Sequence, residues 1–223
     1  MTLVIAHRGA SAYEPENSLA AFRLAHSQGA DGVELDVHVS ADGVPVVHHD
    51  PVVGGQAIFR QTAAVLRQHR LANGEVLPTL AEVLAALGHD SQVYVELKEL
   101  APQHDAQLLA VLDRGPILAN YHIHGFDHRI IQRLRAQRPD LPAGILAVAR
   151  PVRPFIAMED AGAGVLWQQE ALIDAELVEG AHSRGYRVFA WTVDDPDRMR
   201  TLVSLGVDAI CSNRPDVARE VIG

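Results

Sequence analysis

Hydrophobic positions along the chain switch between two periods. Short β-branched and apolar runs recur at Leu3–His7, Gly32–Val39, Val44–His49, Gln92–Lys98, Ile117–His124, Ala143–Val148, Gly164–Gln168, Arg187–Val193 and Val207–Ser212. Between most of them, apolar residues fall at helical spacing. The first such segment is Ser18–Gln28, with Leu19, Phe22 and Ala25 on one face and Gly29 as its stop. Thr79–Leu87, His104–Asp113, His128–Gln137, Asp174–Arg184 and Pro196–Leu205 follow. Strands alternating with helices in this way predict a parallel sheet with the helices packed outside it.

One strand-like run too many is present for an eight-stranded closed barrel. Val39 and Val44 are separated only by Ser40-Ala41-Asp42-Gly43, whose Asp-Gly step is a hairpin signal. A parallel crossover needs roughly a dozen residues, so these two runs must be antiparallel neighbours. Pairing Val39 with Val44 sets Glu34 opposite His49 and Asp36 opposite Val47, which places Glu34, Asp36 and His49 on one face. Setting this arm aside leaves a (β/α)8 barrel of the TIM type, with an extra β-hairpin arm after strand 2. No linker or shift of composition divides the chain, so residues 1–223 are expected to form a single domain. A doubly wound open sheet is the alternative.

Composition narrows the chemistry. The 223 residues carry a net charge of −9, which disfavours binding to nucleic acid or anionic lipid by charge. The N-terminal apolar run is too short and has no basic flank for a signal peptide, and no window reaches a membrane span. The single Cys211 allows no internal disulfide. A cytoplasmic protein without stable membrane association is the expectation. Nothing in the pattern sets an oligomeric state.

The polar residues at strand ends are the informative ones, because a barrel places its working groups there. Glu34 and Asp36 alternate with Val33, Leu35 and Val37, and Glu96 precedes Lys98 on another strand. Three carboxylates brought together call for positive charge. They suit a hard divalent cation, Mg²⁺ or Ca²⁺, with Mn²⁺ as a further candidate. His7 ends the first strand ahead of Arg8-Gly9, where glycine permits close backbone approach to a ligand. Arg8 offers a fork for phosphate oxygens, and Asp50 is placed to orient His49. Two histidines flanking a phosphate would supply a general base and a general acid.

The set His7-Arg8-Gly9, Pro15-Glu16-Asn17-Ser18, Gly32-Val33-Glu34-Leu35-Asp36-Val37, Asp42-Gly43 through His48-His49-Asp50, and Glu96-Leu97-Lys98 resembles the glycerophosphodiester phosphodiesterases. Leu77-Pro78-Thr79-Leu80, Trp191-Thr192-Val193 and Gly206 through Asp216 agree with it in order. The resemblance implies a barrel hydrolase that releases an alcohol and glycerol phosphate from a glycerophosphodiester. It implies a cation on Glu34, Asp36 and Glu96, His7 and His49 as the acid–base pair, Arg8 and Lys98 on the phosphate, and Trp191 beside the glycerol. Asn17 is expected to cap the first helix, and the resemblance gives it a second role near the substrate. Two departures stand out. The segment at about 51–76 lacks the family's Leu-x-Arg-Thr-Thr run, which predicts a reduced cover over the site. The family's fifth-strand Ser-Phe step becomes His124-Gly125-Phe126.

Other readings remain open. Lysophospholipase D action or phosphoinositide-type phospholipase C chemistry would use a related barrel. His122 and His124, spaced H-x-H, could instead make a zinc amidohydrolase, and a non-catalytic phosphate-binding barrel is the non-enzyme reading. Arg129, Arg133, Arg135 and Arg138 read as a solvated basic face. Ala161-Gly162-Ala163-Gly164 reads as a helix-to-strand turn, and Cys211 as a buried strand residue.

Overall fold

The computed structural model describes residues 1–89 and 91–223. In chain order the elements begin with β1 (Leu3–His7), α1 (Leu19–Ser27), β2 (Gly32–Val39), β3 (Pro45–Val47), β4 (Val52–Val53), β5 (Gln56–Ala57), α2 (Ala63–Leu66) and α3 (Leu80–Leu87). They continue with β6 (Gln92–Leu97), α4 (Asp105–Asp113), β7 (Tyr121–His124), α5 (His128–Gln137), β8 (Gly144–Ala147), α6 (Ile156–Ala161), β9 (Val165–Gln169), α7 (Ala175–His182), β10 (Arg187–Trp191), α8 (Pro196–Ser204), β11 (Ala209–Ser212) and α9 (Pro215–Ile222).

Eight parallel strands run in the order β7-β6-β2-β1-β11-β10-β9-β8. A parallel bridge between Ile123 and Ala143 joins β7 to β8. Ile123 N–H donating to Pro142 O at 3.0 Å and Leu146 N–H donating to Gly125 O at 3.1 Å complete the closure. The result is the expected barrel, with β3 held antiparallel on β2 outside the ring.

Two separate apolar layers follow from strand alternation. Outward residues such as Val4, Leu35, Val95 and Ile210 pack against the helices, while Ile5, Tyr94, Leu146, Val165, Trp167, Phe189 and Cys211 fill the barrel itself. Aliphatic side chains usually dominate such interiors. Here aromatic rings fill much of the space, with Trp167 edge-on to Phe189 at 5.0 Å and to Tyr94 at 5.3 Å. A third cluster, Val46, Val53, Ile58, Leu66 and Leu77, anchors the segment after the hairpin arm.

The hairpin register differs from expectation by one residue. Val37 pairs with Val47 and Val39 with Pro45, so the position opposite Asp36 is His48 and not Val47. The reason is the turn. Ser40 N–H donates to Val44 O, which leaves a three-residue loop with Gly43 at φ +80° in the left-handed region. β3 also stops at Val47, so strand pairing does not deliver His49 opposite Glu34. Instead His48 N–H donates to Asp36 O at 3.0 Å and the chain turns away from the sheet.

Other expectations are corrected in the same way. Ser18, not Asn17, caps α1, its hydroxyl accepting from Ala21 N–H at 3.0 Å. The run expected from Ile117 is a single 3-10 turn up to Asn120, because the Tyr121 hydroxyl folds back to accept from Ile117 N–H. Of the four arginines read as a solvated face, Arg129 is exposed beside Asp127, and the other three are tied into the fold. Arg133 forks onto Asp105, Arg135 donates to Gly162 O and Leu141 O, and Arg138 pairs with Asp113 and Asp140. Helices α2, α6 and α9 lie outside the predicted set, although Pro215-Asp216 gives α9 a regular first turn. Gly162 at φ +64° ends α6, as the turn reading required. Among the described residues no helix is long and apolar enough to cross a membrane.

His122 stacks on Tyr94 at 4.6 Å, and burial followed by the Arg187 charge brings its pKa down to about 4. The unfolded chain therefore binds this proton near 6.5 and the folded chain only near 4. The group withdraws stability as pH falls between those values and leaves it intact above them. His122→Phe, which keeps the stack without the titration, is expected to lose less thermal stability between about pH 7 and pH 4 than the parent. Each kcal/mol spared is worth roughly 2–4 °C in a chain of this size. Thermal unfolding followed by circular dichroism checks this, and identical acid limbs in both proteins would contradict it.

Candidate active site

A cavity of about 90 Å³ opens at the C-terminal ends of the barrel strands. Its lining brings together His7, Arg8, Glu34, His49, Glu96, Lys98 and Trp191 from the sequence reading. His124, Phe126, Leu146, Trp167 and Cys211 complete the wall. Asp36 and Asn17 do not line it; both are buried behind it. His122 is also outside it.

Strand register explains the convergence. His7 is level with Glu34 across β1 and β2, and Asp36 is level with Glu96 and then His124 across β2, β6 and β7. Asp36, fully buried, gathers the cations. Its carboxylate lies 3.1 Å from Arg8 Nε and 2.9 Å from Lys98 Nζ, and accepts from Asn17 Nδ2 at 2.8 Å. Burial alone would push this carboxyl up; Lys98, Arg8 and Asn17 outweigh it and bring it down to about 2. Lys98 also reaches Glu96 at 2.7 Å, and Arg8 Nη1 reaches Glu16 at 2.8 Å at the rim.

Arg8 and Asn17 are the non-glycine residues with positive φ among the described residues, at +56° and +58°. Asn17 N–H donates to Arg8 O at 3.0 Å, so the two strained positions brace each other. The neighbouring Gly9 makes its close approach to α1: a Cβ there would lie 2.7 Å from the Ala21 backbone. Packing thus accounts for Gly9, where the sequence suggested a ligand.

Glu34, Glu96 and His124 form a group whose donor atoms all lie within 4.8 Å of one another, and all three residues are buried. Glu34 Oε2 accepts from Arg8 N–H at 3.2 Å, while Oε1 is buried with no hydrogen-bond partner. Burial, then the charges of Asp36 and Glu96, push the Glu34 carboxyl well up. Burial pushes Glu96 up to about 7 against the pull of Lys98. Glu34 makes no ion pair with Lys or Arg among the described residues, and Glu96 shares its one cation, Lys98, with Asp36.

His7 is oriented from behind. Asn213 donates from Nδ2 to Asp194 Oδ2 at 2.6 Å, which turns its Oδ1 toward His7 Nδ1 at 2.7 Å. Oδ1 only accepts, so Nδ1 carries the proton and Nε2 keeps its lone pair. Burial, then the Arg8 charge, lower the His7 pKa. His49 is more open. Its Nδ1 pairs with Asp50 Oδ1 at 2.9 Å, and its backbone carbonyl is held by His38 Nε2 at 3.1 Å.

The sequence pointed to neither Asp194 nor His38, and it placed His124 only in the alternative zinc site with His122. Asn213 entered only as part of a motif. The strand-end rule that found Glu34 and Glu96 also applies to Ser212-Asn213 after β11 and to His124 at the end of β7. Asp194 and His38 carried no comparable signal.

The fold and site define a (β/α)8-barrel enzyme whose strand ends hold cations, carboxylates and imidazoles around one small cavity. Residues 7–217 match the model of the glycerophosphoryl diester phosphodiesterase family. A glycerophosphodiester phosphodiesterase of Caldanaerobacter subterraneus subsp. tengcongensis is 34% identical, covering 96% of this chain and 95% of the relative. A probable glycerophosphodiester phosphodiesterase 2 of Mycobacterium tuberculosis is 33% identical over 99% of this chain and 90% of its own. Among solved structures, an Oleispira antarctica phosphodiesterase in complex with the product sn-glycerol-3-phosphate superposes with a TM-score of 0.92 at 28% identity. That match covers 100% of this chain and 97% of the other. The chain belongs to the glycerophosphoryl diester phosphodiesterase family and is an enzyme of that class.

The orientation of His7 gives a direct prediction. Nitrogen NMR of the parent is expected to show neutral His7 as the Nδ1–H tautomer. In Asn213→Ala the acceptor is lost, and the Nε2–H form should become substantially populated. An unchanged tautomer in the variant would remove Asn213 from this role.

Proposed function

We propose that the enzyme hydrolyses glycerophosphodiesters to an alcohol and glycerol 3-phosphate, using His7 and His49 as an acid–base pair. The observation that carries this reading is the meeting of both imidazoles, Arg8 and Lys98, and Glu34 and Glu96 in one cavity. The Oleispira antarctica relative, bound to sn-glycerol-3-phosphate, supports the choice of substrate.

Each residue has a part. Arg8 and Lys98, fixed by Asp36, bind the phosphate oxygens and neutralise charge that develops on them. His7 is neutral because burial and Arg8 lower its pKa, so its Nε2 accepts a proton from the attacking water. His49, oriented by Asp50, gives a proton to the departing alkoxide. Trp191, edge-on to Phe126 at 5.6 Å, forms the apolar wall against which the glycerol carbons lie. Asn17 acts at one remove by holding Asp36.

Glu34 and Glu96 would hold a divalent cation, Mg²⁺, Ca²⁺ or Mn²⁺, while Asp36, expected as a third ligand, lies behind the cavity on Arg8, Lys98 and Asn17. The residues fit it: Glu34 has a buried oxygen without a hydrogen-bond partner, and burial, then neighbouring carboxylate charge, pushes both glutamates up. A bound dication supplies charge neutralisation for the phosphate. We take residues 1–223 as one catalytic domain. Within 51–76, Pro51, Ile58 and Phe59 line a neighbouring cavity of about 420 Å³ with Glu99 and His104.

Chelation by EDTA is expected to abolish hydrolysis of glycerophosphocholine, and one divalent cation should restore it. The released glycerol 3-phosphate is quantified in a coupled assay. Full turnover in chelator, or no product from any of a panel of glycerophosphodiesters, would refute the reading.

The histidines are expected to act as a unit, so His7→Ala, His49→Ala and the double variant should show similar residual kcat. The acid limb of kcat/KM should fall below 6.5, the ordinary histidine value, since protonating His7 removes the base and its pKa is lowered. Steady-state kinetics across pH tests both. Independent, multiplying losses would break the pair.

A further inference from the structure

We propose that His124 gives the cation site a nitrogen donor, and that this shifts its preference from Ca²⁺ toward imidazole-accepting ions such as Mn²⁺, Co²⁺ and Zn²⁺. The proposal rests on the reading that Glu34 and Glu96 bind a divalent cation.

Three observations lead to it. His124 Nε2 lies 3.8 Å from Glu34 Oε1, the buried oxygen that has no hydrogen-bond partner. Two donors on one ion with bonds of about 2.1 Å are at most about 4.2 Å apart, so this pair is within the span of a single metal. His124 is also the strand neighbour of Glu96, which brings the third donor alongside.

The imidazole is held as a ligand should be. Its ring lies on Trp167 at 4.3 Å and 8° from parallel, and Trp167 is itself wedged edge-on against Tyr94 and Phe189. Gly144 leaves the room for this stack, since a Cβ there would come within 2.8 Å of the Trp167 ring. The ring plane is therefore set by packing before any ion arrives, which lowers the entropy lost on binding.

A purely structural histidine, 1% exposed, would be expected to use its nitrogens in hydrogen bonds. His124 Nδ1 has no partner, and the closest carboxylate oxygen to Nε2 is beyond hydrogen-bond distance. Stacking alone explains its position but not the choice of an imidazole over a phenyl ring.

Ion preference follows from donor chemistry. Carboxylate oxygens alone suit Mg²⁺, Ca²⁺ and Mn²⁺, and Ca²⁺ seeks six to eight oxygens, whereas an imidazole nitrogen favours Co²⁺ and Zn²⁺ most and is accepted by Mn²⁺ more readily than by Ca²⁺. Asp36 sharpens this effect, because its oxygens are already shared among Arg8, Lys98 and Asn17.

The test is metal binding by the whole apoprotein, independent of turnover. Titration calorimetry gives the Mn²⁺ and Ca²⁺ affinities of the parent and of His124→Ser. Pulsed electron paramagnetic resonance of the Mn²⁺ complex detects a directly bonded nitrogen. The parent is expected to show nitrogen modulation that His124→Ser loses, with its preference for Mn²⁺ over Ca²⁺ falling on the order of tenfold. Tight Mn²⁺ binding without nitrogen modulation in the parent overturns the proposal. So does modulation that persists in the variant with an unchanged preference. Should the variant not fold, the parent's spectrum decides alone. Failure of the parent to bind Mn²⁺ or Ca²⁺ at all would instead strike the carboxylate reading on which this one stands.

Discussion

A single buried carboxylate, Asp36, sets the positions of the groups that face the cavity without facing it itself. Its partners come from three segments far apart in sequence: Arg8 after β1, Asn17 before α1 and Lys98 after β6. Removing one partner of a buried ion pair typically costs about 3–5 kcal/mol, because the remaining charge stays buried and unpaired. Asp36 thus holds two cations at once, and its loss would leave Arg8 on the rim residue Glu16 and Lys98 on Glu96 alone. It also bears on the backbone. Positive φ at Arg8 and Asn17 costs on the order of 1–3 kcal/mol at each residue, and the ion pair and the Asn17 hydrogen bond hold both in place.

That dependence explains which parts of the site were legible in the sequence. Strand alternation was enough to mark Glu34, Asp36 and Glu96 as facing away from their apolar neighbours, and strand-end position was enough to mark His7 and Lys98. Alternation cannot distinguish a carboxylate that lines the cavity from one that sits behind it. Asp36 and Glu34 differ by two residues on one face, yet one is surrounded by cations and the other is short of them. That difference is made by Arg8 and Lys98 arriving from other strands.

The misread elements fail for similar reasons. Asn17 sits where a cap is expected, but its left-handed backbone sends the side chain to Asp36 and passes the capping role to Ser18. The hairpin register turned on whether its loop held three residues or four, a choice made by Gly43 and the Ser40 hydrogen bonds and not by the hydrophobic pattern. His49 still reaches the cavity, because His38 holds its backbone carbonyl where strand pairing was expected to do so. The orientation of His7 depends on Asn213 and Asp194, some two hundred residues further along the chain, which meet it only because β11 closes the ring beside β1.

Charge counting then constrains the chemistry. With the half-exposed Glu16 left to solvent screening, Glu34, Asp36 and Glu96 when ionised contribute three negative charges against the two positive charges of Arg8 and Lys98. Burial pushes Glu34 and Glu96 up, and the balance of −1 adds to it, since a proton on either relieves the repulsion. It would also repel a phosphodiester, itself a monoanion. Any dication carried by these carboxylates reverses the sign to +1, and the monoanionic substrate then brings the cavity to neutrality. A monovalent ion would only cancel the excess and leave nothing for the phosphate. The donor set therefore calls for a charge of two. An uncharged imidazole such as His124 alters which dication is preferred without disturbing that balance.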